Sequence, residues 1–125
     1  MYIKFTWLFS AITVAAVVLV LTHLPPKMLP KFLPGGNFDK LEHFVAYGVM
    51  SFLFLMAVKD IGRMQTILLV IVGILLFGGI DELTQPWAGR SCDVFDWMFD
   101  LFGLAAACTV VWYRSIRKNR LIGSI

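Results

Sequence analysis

The chain has 125 residues, enough for one domain, so we expect a single domain over residues 1–125. Hydrophobic residues make up 59% of it and charged residues 15%, whereas soluble proteins have roughly 45–50% and about 25%. This balance and a mean hydropathy of +0.81 exclude intrinsic disorder and a collagen-like repeat. They also argue against nucleic-acid binding, although the net charge is +3. We therefore predict an integral membrane protein.

Four apolar segments are long enough to cross a bilayer as helices, which takes about 17–25 residues. The first segment, Phe5 to Leu21, is uncharged, and no small-x-small cleavage site follows it, so we expect an uncleaved anchor. Proline and glycine breakers then fill residues 25–36, and Pro86 ends the third segment. We predict an all-α, polytopic transmembrane four-helix bundle with helices over about residues 5–24, 41–58, 65–85 and 96–113, followed by a basic cytoplasmic tail over 114–125.

The charged residues predict an orientation. An even number of spans puts both termini on one side, and the side richer in Lys and Arg is cytoplasmic. Seven basic residues share the side of the termini and four lie on the other: Lys4, Lys59, Arg63, Arg114, Arg117, Lys118 and Arg120 against Lys27, Lys31, Lys40 and Arg90. We therefore expect a multi-pass membrane protein with both termini in the cytoplasm.

The acidic residues have the opposite distribution. Seven of the eight carboxylates lie in or beside the two outer loops, and only Asp60 lies on the inner side. We expect the two outer loops to meet at the extracytoplasmic end of the bundle and to build one polar site there.

A polar stripe opens the second helix. Asp39, His43 and Tyr47 recur every four residues, so they lie on one helix face that descends into the membrane. A histidine one turn inside the helix, with an aspartate above it, is suited to carry a proton. Two simpler interpretations remain: Asp39 and Glu42 have the spacing of a helix capping box, and His43 and Tyr47 could reach back to the interface.

A second group ends the third helix. Glu82 and Gln85 are three residues apart and share a face, whereas Asp81 points about 100° away. Ionisable groups at this depth usually face a bundle interior or a water-filled cavity, so Glu82 is a candidate site residue. The alternative is that Pro86 follows so closely that both acids lie in headgroup water.

A third group enters the fourth helix. Arg90, Asp93, Asp96 and Asp100 are spaced as on one helical face, with Gly103 a turn further on. Asp100 then lies inside the hydrocarbon edge, where an isolated carboxylate costs about 2.5–3.5 kcal/mol, so we expect it to be paired, protonated or ligated. Arg90 is the expected counter-ion of Asp93 or Glu82. The alternative makes Asp93 the helix N-cap and the rest a self-satisfied ion-pair network.

No cofactor is predicted, and a divalent cation is left open. One histidine among several carboxylates suits a hard or borderline divalent ion, but no recognised pair of ligands occurs at metal-binding spacing. Cys92 and Cys108 are expected to be free thiols, because a helix between them would separate them by about 24 Å.

The three groups together resemble the VanZ-like family of small bacterial membrane proteins. The matching residues are Asp39-Lys40, His43-Phe44 and Tyr47, then Glu82 and Gln85, then Arg90, Asp93, Asp96 and Gly103. Asp100 departs from the pattern, since the family usually has Asn at that place. The resemblance implies a membrane domain of four to five helices in the bacterial inner membrane. The name-giving member of the family is associated with resistance to the glycopeptide teicoplanin.

Four functions fit these features. In the first, the outer pocket binds a membrane lipid or a lipid-linked cell-envelope headgroup; Lys40 and Arg90 hold its phosphate, and Tyr47, Gln85, Asp93 and Asp100 complete the binding site. In the second, the protein is an acid–base enzyme acting on a lipid or glycolipid, with His43 as base, oriented by Asp39, and Glu82 or Asp96 as acid. The third is a structural or interaction subunit. The fourth is a proton-coupled carrier, and the absence of polar residues from the inner half of the helices argues against it. Lipids and no nucleic acid are the expected partners, and the oligomeric state is left open.

Overall fold

The computed structural model describes residues 3–28, 37–58 and 64–122, without the side chains of residues 26, 37–38 and 118–122. The helices are α1 (Phe5–Thr22), α2 (Asn37–Val58), α3 (Met64–Thr84) and α4 (Val94–Ile122), with short 3₁₀ turns at Pro26–Met28 and Gln85–Ala88. No strand occurs in these residues, and the predicted all-α four-helix bundle is confirmed. The predicted positions of Lys31, Lys59, Asp60 and Arg63 lie outside the described residues.

All four helices are long and apolar enough to cross a membrane, so the protein is a multi-pass membrane protein. The most hydrophobic helices are also the most exposed: α1 has a mean hydropathy of 2.2 and only 11% of its span is buried inside the protein. An apolar surface that no other helix covers is stable in lipid, where hydrocarbon tails contact it. The exposed apolar residues of α1 therefore form a lipid-facing surface.

Helix boundaries differ from the sequence prediction at several ends. Helix α1 ends at Thr22 rather than residue 24, and α2 begins at Asn37 rather than residue 41, which places Asp39 inside its first turn. Helix α3 ends at Thr84, and Gln85 and Pro86 belong to the following 3₁₀ turn. That turn closes at Gly89, whose φ of 76° is a left-handed conformation that favours glycine.

The fourth helix is longer than predicted at both ends. It begins at Val94 and continues to Ile122, so most of the predicted basic tail is helical. Arg and Lys are good helix formers, and no Gly or Pro occurs in this helix after Gly103, which explains why it continues past the apolar part.

Helix α2 is the centre of the bundle and packs against each of the other three, most extensively against α4. The two helices cross at a pair of glycines, with Gly48 close to the Gly103 backbone. A side chain on Gly103 would meet the Phe44 carbonyl oxygen and the Gly48 nitrogen. The absence of side chains here lets the backbones approach closely, as small residues do in membrane helix pairs.

Candidate functional site

Four helix ends meet at one end of the bundle and enclose polar side chains. They are the last turns of α1 and α3 and the first turns of α2 and α4, joined by side-chain hydrogen bonds from Thr22 to Asp81, Lys40 to Asp93 and His43 to Asp100. The polar cluster consists of Asp39, Lys40, His43, Tyr47, Asp81, Glu82, Gln85, Arg90, Asp93, Asp96 and Asp100. Residues 29–36 of the first predicted outer loop lie outside the described residues, so the meeting of the two outer loops stays a prediction; the helix ends that flank them meet here.

Three ion pairs made by two cations form the rim of the cluster. The Arg90 guanidinium donates to Asp39 Oδ1 at 3.1 Å, and the Lys40 ammonium donates to Asp93 at 3.0 Å and to Asp96 at 3.1 Å. The prediction that Arg90 pairs with Asp93 or Glu82 is therefore wrong. Arg90 precedes α4, in the connection that follows Gly89, instead of lying on the face of α4, and it reaches the first turn of α2.

Asp93 caps the fourth helix, as the alternative interpretation predicted. Its Oδ1 accepts the Phe95 backbone N–H at 2.9 Å. The Phe95 N–H and the Lys40 ammonium both favour the charged form and hold the pKa of Asp93 below its usual range. The capping box proposed for Asp39 does not form, because Asp39 lies within the first turn of α2 and pairs with Arg90.

His43 lies at the centre of the cluster and is 4% exposed. Its Nδ1 lies 2.9 Å from Asp100 Oδ1. An ionised Asp100 only accepts, so Nδ1 then carries the hydrogen, and Nε2 is the ring nitrogen that faces Glu82. The predicted partner was Asp39, which is wrong: the side chain that orients His43 comes from the neighbouring helix α4. The prediction that Asp100 is paired is confirmed, although its Oδ2 is buried without a hydrogen-bond partner.

Glu82 faces His43 from the third helix and is held on both oxygens. Gln85 Nε2 donates to its Oε1 at 2.7 Å, and the Asp93 backbone N–H donates to its Oε2 at 3.0 Å. His43 Nε2 lies 3.8 Å from Oε1, beyond hydrogen-bond distance. Glu82 and Asp81 are both buried inside the protein, so the alternative that they lie in headgroup water is wrong.

Tyr47, a predicted site residue, forms a deeper polar layer with Asp81, which the sequence did not assign to the site. The Tyr47 hydroxyl donates to Asp81 Oδ2 at 3.2 Å, and the Thr22 hydroxyl donates to Oδ1 at 2.7 Å. His23 joins this layer through a hydrogen bond of 2.9 Å to the Thr84 hydroxyl. Thr22 and His23 are polar residues at the end of an uncharged helix, and this was the signal available in the sequence.

His43 and Tyr47 are both buried, and their rings stack with centroids 6.2 Å apart. They therefore do not reach back to the interface. The predicted stripe on α2 is real, but each member contacts a different segment: Asp39 contacts Arg90, His43 contacts Asp100 and Tyr47 contacts Asp81.

An apolar cavity of about 290 Å³ opens between α1, α2 and α3. It is lined by Ala15, Met50, Phe54, Val70, Gly73, Ile74 and Phe77. Phe77 also contacts Tyr47, with ring centroids 6.1 Å apart, so the cavity adjoins the deeper polar layer. Its volume is near the lower end of ligand pockets, which span roughly 300–1,000 Å³.

Three ligand-type side chains converge within the cluster. One ligand atom from each of His43, Glu82 and Asp96 lies within 4.8 Å of the others, and all three residues are buried. Cys92 and Cys108 are free thiols, as expected. Comparison of the chain with protein-family models, curated proteins and solved structures found no match.

Proposed function

We propose that this chain is a VanZ-like protein of the bacterial inner membrane whose polar cluster faces the extracytoplasmic side. There it binds the headgroup of a membrane lipid or of a lipid-linked cell-envelope precursor. The observation that carries the proposal is the contact between Tyr47 and Phe77, which sets the apolar cavity directly beside the polar cluster. A ligand with a polar head and a hydrocarbon chain matches both parts, whereas a wholly polar solute matches only one.

The rim supplies the cations that a phosphate headgroup needs. The side chains of Lys40 and Arg90 are 27% and 14% exposed, so a ligand at the rim can reach them. Their partners Asp93 and Asp39 are about one-third exposed. If an incoming phosphate displaces either carboxylate, the displaced carboxylate is therefore in contact with water. That exchange avoids the large penalty of leaving a buried charge unpaired.

The three segments that carry the resemblance to the VanZ-like family contribute to one cluster. Residues that are about 40 to 50 positions apart in sequence, such as His43 and Glu82 or Lys40 and Asp93, are neighbours in space. Under this proposal, occupancy of the site by an envelope lipid changes the exposure of the cell to glycopeptide antibiotics. The resistance of cells expressing wild type or a site variant to teicoplanin is the corresponding cellular measurement.

The binding experiment uses purified full-length protein in detergent and native mass spectrometry with two probes, phosphatidylglycerol and a polyprenyl phosphate. Arg90→Gln is expected to weaken binding of the preferred probe, and Lys27→Gln is the matched control, because Lys27 is an exposed cation in the turn after α1. Gly73→Leu tests the cavity, since a side chain there points into open space. Equal binding by wild type, Arg90→Gln and Gly73→Leu would contradict the proposal.

An acid–base enzyme is the second candidate, favoured by the orientation of His43. The Asp100 contact leaves His43 Nε2 directed toward Glu82, which is the arrangement of a base beside an acid. In this version Asp100 replaces Asp39 as the positioning residue, and Glu82 or Asp96 is the acid. Turnover of either bound lipid, lost in a folded His43→Gln variant that still binds it, would favour the enzyme. Retained binding without any turnover by wild type favours the binding function.

A structural subunit makes a different prediction for the same variants. If the cluster only holds the helices together, each substitution lowers stability and none changes lipid binding in protein that remains folded.

A further inference from the structure

We propose that His43, Glu82 and Asp96 form a binding site for one divalent first-row metal ion. The ligand atoms are His43 Nε2 and one carboxylate oxygen from each acid. The inference concerns a bound ion and does not depend on the proposed lipid ligand.

The orientation of His43 is the first argument. Metal-binding histidines usually donate their second ring N–H to a carboxylate or carbonyl, which fixes the ring and the tautomer. Asp100 Oδ1 lies 2.9 Å from Nδ1, in the position of such a partner, and Nε2 faces Glu82. The histidine is therefore already arranged as a ligand with its outer partner in place.

The spacing of the three ligand atoms is the second argument. His43 Nε2 and Glu82 Oε1 are separated by 3.8 Å, too far for a hydrogen bond. In a tetrahedral site with bonds of about 2.1 Å, ligand atoms are about 3.4 Å apart. The three ligand atoms lie within 4.8 Å of one another, so each would have to move by less than about 1 Å to bind one ion.

The charge of the cluster is the third argument. It contains six carboxylates, those of Asp39, Asp81, Glu82, Asp93, Asp96 and Asp100, against the two permanent cations Lys40 and Arg90. Both cations are at the rim, while Asp100 Oδ2 lies buried without a hydrogen-bond partner. Buried charge that lacks a counter-ion is costly, and a divalent ion at His43 would neutralise two of these charges.

The donor set determines the chemical class of the ion. One imidazole with two carboxylates suits borderline divalent ions such as Mn²⁺ and Zn²⁺ better than Ca²⁺, which prefers six to eight oxygens. Three protein ligands leave coordination positions for water or for an anionic group of a ligand. Lys40 donates to Asp96 Oδ1, so its ammonium competes with the ion for this carboxylate.

The test is a Mn²⁺ titration of full-length protein in lipid-free detergent, with free Mn²⁺ measured by electron paramagnetic resonance. Mn²⁺ avoids thiolates, so the exposed Cys92 does not confuse the result. We expect wild type to bind about one ion per chain and to release it when Zn²⁺ is added. Glu82→Gln and Asp96→Asn should weaken binding by about tenfold or more, since each removes a charged ligand.

The matched control is Glu42→Gln, because Glu42 is an exposed carboxylate on α2 next to His43. Its affinity for Mn²⁺ should equal that of wild type. Lys40→Met should bind Mn²⁺ several-fold more tightly, because the competing ammonium is gone. This gain is measurable even if the ligand variants fail to fold. Absence of stoichiometric binding by folded wild type would overturn the proposal, and so would equal affinity in folded Glu82→Gln, Asp96→Asn and Glu42→Gln. Because no lipid is present, failure here leaves the lipid-binding experiment as a separate result.

Discussion

Replacing Gly103 with alanine tests the crossing of α2 and α4 that holds the polar cluster together. A Cβ on Gly103 would overlap the Phe44 carbonyl oxygen and lie 2.8 Å from the Gly48 nitrogen. Both atoms belong to the backbone of α2, so no side chain can rotate away and the helices must separate. Overpacking of this kind costs about 1–3 kcal/mol.

Two other glycines provide matched controls for this substitution. An alanine Cβ at Gly73 has no neighbour within 4 Å, and one at Gly48 would lie 3.5 Å from the Gly103 carbonyl oxygen, an ordinary contact. All three changes gain the same helix propensity, about 0.5–1 kcal/mol. The difference between Gly103→Ala and Gly73→Ala therefore measures the steric cost alone.

The assay is reversible unfolding in mixed micelles with increasing sodium dodecyl sulfate, followed by circular dichroism. We expect Gly103→Ala to be less stable than Gly73→Ala by about 1–3 kcal/mol, with Gly48→Ala close to Gly73→Ala. A difference below about 0.5 kcal/mol, within the usual range of a neutral substitution, would refute the close crossing at Gly103.

Three further predictions use the same unfolding assay. Asp100→Asn should be at least as stable as wild type, because the amide oxygen still accepts from His43 Nδ1 while a buried charge is removed. Asp100→Leu should be less stable than wild type. A leucine variant more stable than the asparagine variant would contradict the assigned hydrogen bond. Tyr47→Phe should lower the free energy of unfolding by about 0.5–1.5 kcal/mol, because Asp81 loses one of its two hydroxyl donors. An unchanged free energy of unfolding would show that this contact is not made. Asp93→Ala should be less stable than Asp93→Asn, which keeps the helix cap. The pKa of Asp93 in the folded protein is below the ordinary value of 3.8, so ionised Asp93 should stabilise the fold at pH values above 3.8. This stabilisation should be lost as the pH falls through the pKa of the folded state. Asp93→Asn should lack this pH dependence.

The sequence predicted the helical regions well because bilayer crossing imposes a simple rule. Each span must satisfy its own backbone hydrogen bonds, so a long apolar segment has to be helical. The four spans, the breaks between them and the polar end of the bundle follow from composition and position alone. The spacing of Asp39, His43 and Tyr47 likewise places them on one face of α2 without knowledge of any other helix.

Pairing between helices could not be read from the sequence in the same way. Arg90 was expected to pair with its sequence neighbour Asp93 or with Glu82, and Asp39 was expected to orient His43, but α2 and α4 cross so that each pairs elsewhere. Charge attraction falls slowly with distance and does not distinguish among several nearby carboxylates. The close approach of the α2 and α4 backbones at Gly48 and Gly103 sets which side chains of these two helices lie opposite each other.

The sequence by itself determined the class of the protein, its four helical spans and the set of polar residues at one end of the bundle, because hydropathy and helical periodicity are local properties. Only the tertiary structure decided which of those residues meet. It assigned Asp100 to His43, brought Thr22 of α1 and Tyr47 of α2 to Asp81, and gathered ligand atoms of His43, Glu82 and Asp96 within 4.8 Å. These contacts depend on the rotation and crossing of packed helices, which are set by side-chain volumes at the interfaces between them.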